Sequence, residues 1–167
     1  MRKSQDVIGL PVVHVKTGKR LGEVKDLLFD EEQRLRGLLL ECGGWIRSGR
    51  FIPVERIRAF GVDAVILDSE ADIFPLSRGQ KGWVNLLTGE RKLKGRSILS
   101  EHGQELGTVE GVYFREEMGI LSGYELSDGF FNDLRDGRKV YRPQVPLVWE
   151  GEEMLIAPAE PPVSDVQ

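Results

Sequence analysis

The sequence is poor in the residues that build cross-linked or metal-bound scaffolds. One of its 167 residues is cysteine, Cys42, so no internal disulfide can form. It has two histidines, His14 and His102, and neither a Cys-x-x-Cys nor a His-x-x-His pair, so zinc-ligand spacing is missing. Long apolar runs are also missing. The longest candidates, Leu38-Leu39-Leu40 and Ala64-Val65-Ile66-Leu67, are strand-sized, far short of the roughly 18–20 residues that cross a bilayer. The opening MRKSQDVIGLP carries positive charge without an apolar stretch and does not read as a secretory signal. Neither GxxxxGK[ST] nor GxGxxG occurs, so no familiar loop cradles phosphate. No segment keeps a helical period over three turns. These absences argue against a transporter, a disulfide-stapled secreted domain and a nucleotide-binding enzyme. They lead us to expect a cytoplasmic protein with no membrane insertion, no metal and no cofactor.

The composition, 40% hydrophobic and 30% charged, suits a folded domain. Net charge is −4, unevenly spread. Residues 1–96 hold 18 Lys and Arg against 13 Asp and Glu; residues 97–167 hold 5 against 14. A basic front and an acidic back make a molecular dipole, which suits solvated charge, self-association or a charged partner. The acidic total weakens nucleic-acid binding without excluding it.

A phrase occurs twice. LGEVKDLLFD at 21–30 reappears as LGTVEGVYFR at 106–115. Leu21, Gly22, Val24 and Phe29 match Leu106, Gly107, Val109 and Phe114 at an offset of 85. Gly9 matches Gly95, and Leu35, Gly37 and Leu40 match Leu121, Gly123 and Leu126, at 86. After a loop the offset becomes 90, pairing Phe51 with Tyr141, Pro53 with Pro143 and Gly61 with Gly151. Offsets that change only at loops mark a duplication. Each copy reads as short strands and turns: LPVVHV, the turn KTGK, RLGEVKDLLFD with a bend or bulge near Gly22, the solvated turn DEEQR, LRGLLLE, RFIPVERI turning helical after Pro53, and DAVILD. RSILS, ELGTVEGVYFR, GILSGYELS, KVYRP and EMLIA repeat the plan. Five or six short strands per copy predict a small barrel, since closure removes exposed edges.

DVIGLPVVHVKTGKRLGEVKDLLFDEEQRLRGLLLE followed by FIPVERI resembles the PRC-barrel family, which includes the reaction-centre H-subunit barrel and the C-terminal domain of the ribosome maturation factor RimM. The matching features are Gly9, Leu21-Gly22-Val24, Asp26, Phe29-Asp30, Gly37 and Pro53–Ile57. The second copy departs from them: Asp26 becomes Gly111 and Asp30 becomes Arg115. The arrangement looks like the two-copy PRC-barrel proteins of spore-forming bacteria. The resemblance implies an all-β fold of two PRC-like barrels in tandem, packed through an ordered connecting segment. It also implies a non-enzymatic role as an adaptor in protein or ribonucleoprotein assembly.

The expected layout is a first copy over 1–70, a connecting segment over 71–91, a second copy over 92–157 and a disordered proline-rich tail over 158–167. Ile73, Phe74, Trp83, Val84, Leu86 and Leu87 make the connector too apolar for a free linker. Chemistry is sparse. Cys42 with His14 forms a conceivable nucleophile–base pair, although Cys42 reads more simply as a strand-end residue. Aromatics in the two counterpart loops, CGGWIRSGR and SDGFFNDLRDGR, are either lids over a small core or anchors for a partner. The candidate partner-binding residues are Trp45, Ile46, Arg47, Arg50, Phe130 and Phe131. A second set, Arg34, Arg36, Arg47, Arg50, Arg56 and Arg58, is either solubility charge or a phosphate-facing surface. The leading reading is an adaptor that binds a protein partner or a second copy of itself. An RNA- or ribosome-associated factor and a small-ligand barrel with Trp45 or Trp149 lining a pocket are the alternatives.

Overall fold

The computed structural model describes residues 1–40, 49–76, 82–117, 119–127, 139–151 and 153–159. Over these residues the chain is nearly all strand. β1 (Arg2–Lys3) enters a single helical turn, α1 (Ser4–Val7), and is followed by β2 (Pro11–His14), β3 (Arg20–Phe29), β4 (Leu35–Leu40), β5 (Arg50–Pro53), β6 (Ala59–Phe60), β7 (Val65–Leu67) and β8 (Phe74–Pro75). After β9 (Val84–Asn85) the plan recurs as β10 (Ser97–Ser100), β11 (Glu105–Phe114), β12 (Leu121–Ser127), β13 (Lys139–Tyr141) and β14 (Met154–Ala157). The helical turn expected after Pro53 is a 3₁₀ turn over Val54–Arg56.

Two sheets form, ordered β6-β7-β2-β3-β4-β5-β8 and β13-β12-β11-β10-β14. The all-β class therefore holds, but the expected closure does not. Among the described residues no ladder joins the two ends of either sheet, so each is an open, curled sheet rather than a hydrogen-bonded barrel. The curl comes from bulges. Val12 pairs with Gly22 and Val13 with Arg20, leaving Leu21 as the extra residue, close to where Gly22 predicts a bend. Ile98 and Leu99 skip Leu106 in the same way. Lys25 and Arg36 are the extra residues between β3 and β4, as Glu110 and Ser122 are between β11 and β12. Three bulges at matching places bend both sheets alike. Gly37 allows a close approach of β4 and β5, since a Cβ there would stand 2.7 Å from the Ile52 carbonyl oxygen.

The ladders correct one detail of the repeat. Leu38 pairs with Ile52, and its counterpart Tyr124 pairs with Tyr141. Ile52, not Phe51, is thus the partner of Tyr141, and the offset through β13 is 89. The sequence match at 90 was carried by Pro53, which ends β5 opposite Gly37, and Pro143, which lies past β13.

The sheets exchange their leading strands. β1 pairs with β11, matching Arg2 to Phe114 and Lys3 to Tyr113. β9 pairs with β3, matching Val84 to Phe29 and Asn85 to Leu28. Each copy's entry strand thus completes the long strand of the other copy. One hydrophobic cluster results, running from Val7, Val12, Phe29 and Leu67 of the first copy to Leu93, Val109, Phe114, Trp149 and Leu155 of the second, with Val84 and Leu86 of the connection inside it. A separate interior for each half, the expectation from two barrels, is replaced by a shared one.

Candidate interaction site

Among the described residues, two of the regions that bring polar side chains together bear on how the molecule is built and what it meets. The first is buried where the copies meet. Asp26 lies on β3 with no exposed surface. Its Oδ1 accepts from the N–H groups of Leu27 (2.8 Å) and Leu87 (2.9 Å), and its Oδ2 accepts from the N–H (2.9 Å) and hydroxyl of Thr88. The carboxylate therefore fastens the segment after β9 onto β3. At the counterpart Gly111 the work is done from the other side: the Ser4 hydroxyl accepts from the Val112 N–H at 3.0 Å. A Cβ on residue 111 would come within 2.9 Å of that oxygen. This explains why the second copy has glycine where the first has aspartate.

Further in, the Gln33 side-chain amide donates to the Leu147 carbonyl, and its oxygen accepts from the Tyr124 hydroxyl at 3.2 Å. The Trp149 Nε1–H donates to the same hydroxyl at 3.1 Å. Burial pushes the Tyr124 phenol far above its ordinary value, and the Trp149 hydrogen bond opposes this more weakly. Trp149 is thus a core residue packed edge-on to Phe29 at 6.2 Å, and not the pocket wall of the small-ligand reading. This region binds the two copies to each other.

The second region is on the surface, at the start of β3 and of β5. Lys19, Arg20, Leu21, Arg50, Glu70 and Ile73 line a cleft of about 290 Å³. Lys19 Nζ meets Glu70 Oε1 at 2.9 Å. That hydrogen bond and the Lys19 charge hold the Glu70 carboxyl below the usual carboxylate range, with smaller contributions from His14 and Arg50. Three cations thus face one carboxylate over an apolar floor of Leu21 and Ile73. The counterpart of Arg20 in the second copy is Glu105: Arg20 sits opposite Val13, and Glu105 sits opposite Leu99. The two ends therefore differ in the sign of their charge.

Of the candidate residues taken from the sequence, Arg50 lies on this cleft, exposed at the start of β5. Trp45, Ile46, Arg47, Phe130 and Phe131 lie outside the described residues, as do Cys42 and the tail from residue 160. The other arginines are spread over separate carboxylates: Arg34 near Glu32, Arg36 near Asp30, Arg56 near Asp72 and Arg58 near Asp68. Such exposed pairs add little stability, but they neutralise the surface that a phosphate backbone would need. His14 serves its own turn, its Nδ1 accepting from the Lys16 N–H at 3.1 Å. Among the described residues no three His, Cys, Asp or Glu side chains are grouped to hold a metal ion. No helix among them is long and apolar enough to cross a membrane. Sequence reasoning missed Asp26 as the connector's anchor. A charged residue inside the apolar run of β3, replaced by glycine in the other copy, was the available signal.

Comparison with known proteins gives a consistent result. A family model described as PRC-barrel domain matches residues 1–73 and again residues 90–156. Uncharacterized protein YrrD of Bacillus subtilis is 31% identical over 148 residues, covering 83% of this chain and 77% of that protein. Uncharacterized protein CA_C1697 of Clostridium acetobutylicum is 31% identical over 67 residues, covering 36% of this chain and 77% of that protein.

Proposed function

This chain belongs to the PRC-barrel domain family, with two copies, and from that premise we propose that it is a non-enzymatic adaptor whose cationic cleft receives an acidic segment of a protein partner in the cytoplasm. The observation that carries the reading is the cleft itself, where, among the described residues, Lys19, Arg20 and Arg50 line an apolar floor with Glu70 as the one carboxylate. Cationic side chains around a small apolar surface suit a short acidic peptide, with charge steering the approach and Leu21 and Ile73 receiving an aliphatic side chain. The loop residues Trp45, Ile46 and Arg47 adjoin Arg50 in sequence and are proposed to contact the same partner. Phe130 and Phe131, flanked in sequence by Asp128 and Asp133, are proposed to contact a partner of different charge. The relatives are bacterial, in keeping with a bacterial adaptor.

Self-association is a second reading with an observation of its own: the position of Arg20 is held by Glu105 in the other copy, so one molecule's basic end matches another's acidic end. RNA binding is less well supported, because Arg34, Arg36, Arg56 and Arg58 each sit beside a carboxylate. Fluorescence anisotropy separates the peptide-binding and RNA-binding readings. A labelled oligoglutamate peptide and a labelled oligouridine of equal length are titrated with the protein at low and physiological salt. The adaptor reading expects peptide binding that falls about tenfold in the Arg20→Glu, Arg50→Glu double variant, or about 1.4 kcal/mol for two exposed charges. Arg56→Glu should leave it unchanged. Salt-sensitive binding of oligouridine alone would favour the RNA reading, and binding of neither probe would remove the cleft from the account.

A further inference from the structure

Several backbone and aromatic contacts between the two copies come in reciprocal pairs, and the pairs meet on an axis. The Leu35 N–H donates to the Gly119 carbonyl at 2.7 Å, and the Leu121 N–H donates to the Gln33 carbonyl at 3.2 Å. At the offset of 86, Leu35 corresponds to Leu121 and Gln33 to Gly119, so these two bonds are one bond seen twice. Between them Arg34 bridges Ile120, and these two residues also correspond. A position that pairs with its own counterpart lies on a two-fold axis. The backbone agrees: Gln33 has φ of 62° and Gly119 has φ of 64°, the same left-handed turn in both copies.

Other contacts follow the axis. β1 lies on β11 as β9 lies on β3. Phe60 packs edge-on to Phe114 at 6.1 Å as Trp149 packs on Phe29 at 6.2 Å. Phe29 and Phe114 correspond, and Phe60 and Trp149 each follow the residue that pairs with Ile66 or Ile156. An isologous surface is one that recognises a copy of itself. Casual docking of two domains along one chain gives no reason for these contacts to be returned.

We propose that this surface is a recognition surface for a second PRC copy, sufficient to hold the pair together without the covalent connection. The link between copies is needed once, whereas the pairing contacts occur twice and bury the centre of the shared core. The partner is identified by shape: a PRC copy presenting the same left-handed turn on the axis and able to give and receive a leading strand. The 67 matched residues of the Clostridium protein are the length of one such copy.

The test keeps the full chain. A specific protease site replaces residues 77–81, the protein is folded, and it is then cleaved. Size-exclusion chromatography with light scattering should find both pieces in one peak at the mass of the intact chain, down to sub-micromolar concentration. Separation of the pieces, or loss of fold on cleavage, overturns the proposal. Ile120→Arg sets a second arginine opposite Arg34 at a partly exposed axis position. In the cleaved protein it should weaken the pairing about tenfold at low salt and less at high salt, while the uncleaved variant stays folded because its copies remain tethered. Unchanged affinity of the cleaved Ile120→Arg protein would mean that the axis is misplaced and would overturn the proposal as well.

Discussion

Replacing Asp26 by alanine removes four hydrogen bonds from a buried oxygen pair. The Leu27 N–H is buried and, left without an acceptor, costs about 2 kcal/mol. The Leu87 and Thr88 N–H groups are part-buried and reach water more readily, so each costs about 1 kcal/mol. The Thr88 hydroxyl can turn to solvent. The loss is therefore about 4 kcal/mol, a large part of the roughly 5–15 kcal/mol by which domains are stable. Urea unfolding followed by circular dichroism reads it directly. With a slope near 2 kcal/mol per molar, the midpoint should fall by about 2 M. Asp26→Asn keeps one oxygen but turns an NH₂ toward backbone donors, and should recover less than half of the loss. A fall of under 1 kcal/mol in Asp26→Ala would refute the reasoning, because the connector would then be held by something other than this carboxylate.

Gly37→Ala puts a methyl group 2.7 Å from the Ile52 carbonyl oxygen and should cost about 2–3 kcal/mol in the same assay. At Gly18, where φ is +68° and nothing stands within 4 Å of the added carbon, alanine should cost only about 1 kcal/mol. Tyr124 has its phenol raised above the ordinary value of 10.0 by burial. The folded protein therefore keeps it neutral where the unfolded chain ionises. Its contribution is complete below pH 10 and is lost as pH rises beyond that, by about 1.4 kcal/mol per pH unit. Urea midpoints at pH 8 and pH 11 should diverge less in Tyr124→Phe than in wild type.

Much of the fold was legible because β-structure leaves local marks. KTGK announced its turn, Gly22 its bulge, and LRGLLLE its strand despite a leucine content that also suits helix. The repeat was visible because the same bulges demand the same glycines and leucines in both copies. What was not legible is the exchange of leading strands. The dipeptides Arg2-Lys3 and Val84-Asn85 have no pattern of their own, and their pairing partners lie over a hundred and over fifty residues away. A short strand's partner is chosen by the tertiary surface that receives it and not by its own sequence. Sheet closure was over-predicted for a related reason. An edge is also protected when a strand from the connection pairs with it, and here β8 pairs with β5, setting Phe74 opposite Phe51. At the candidate site, charge near Arg50 could be read from the sequence. The convergence of Lys19, Arg20 and Glu70 on it could not, because β3, β5 and the turn before β8 meet only in three dimensions.

The central claim is that two copies share one interior and stand or fall together. Differential scanning calorimetry of the intact chain tests it most directly. A shared core requires one transition whose calorimetric and van't Hoff enthalpies agree. Two resolved transitions, each with the enthalpy of half a chain, would show that the copies melt independently and would contradict the account.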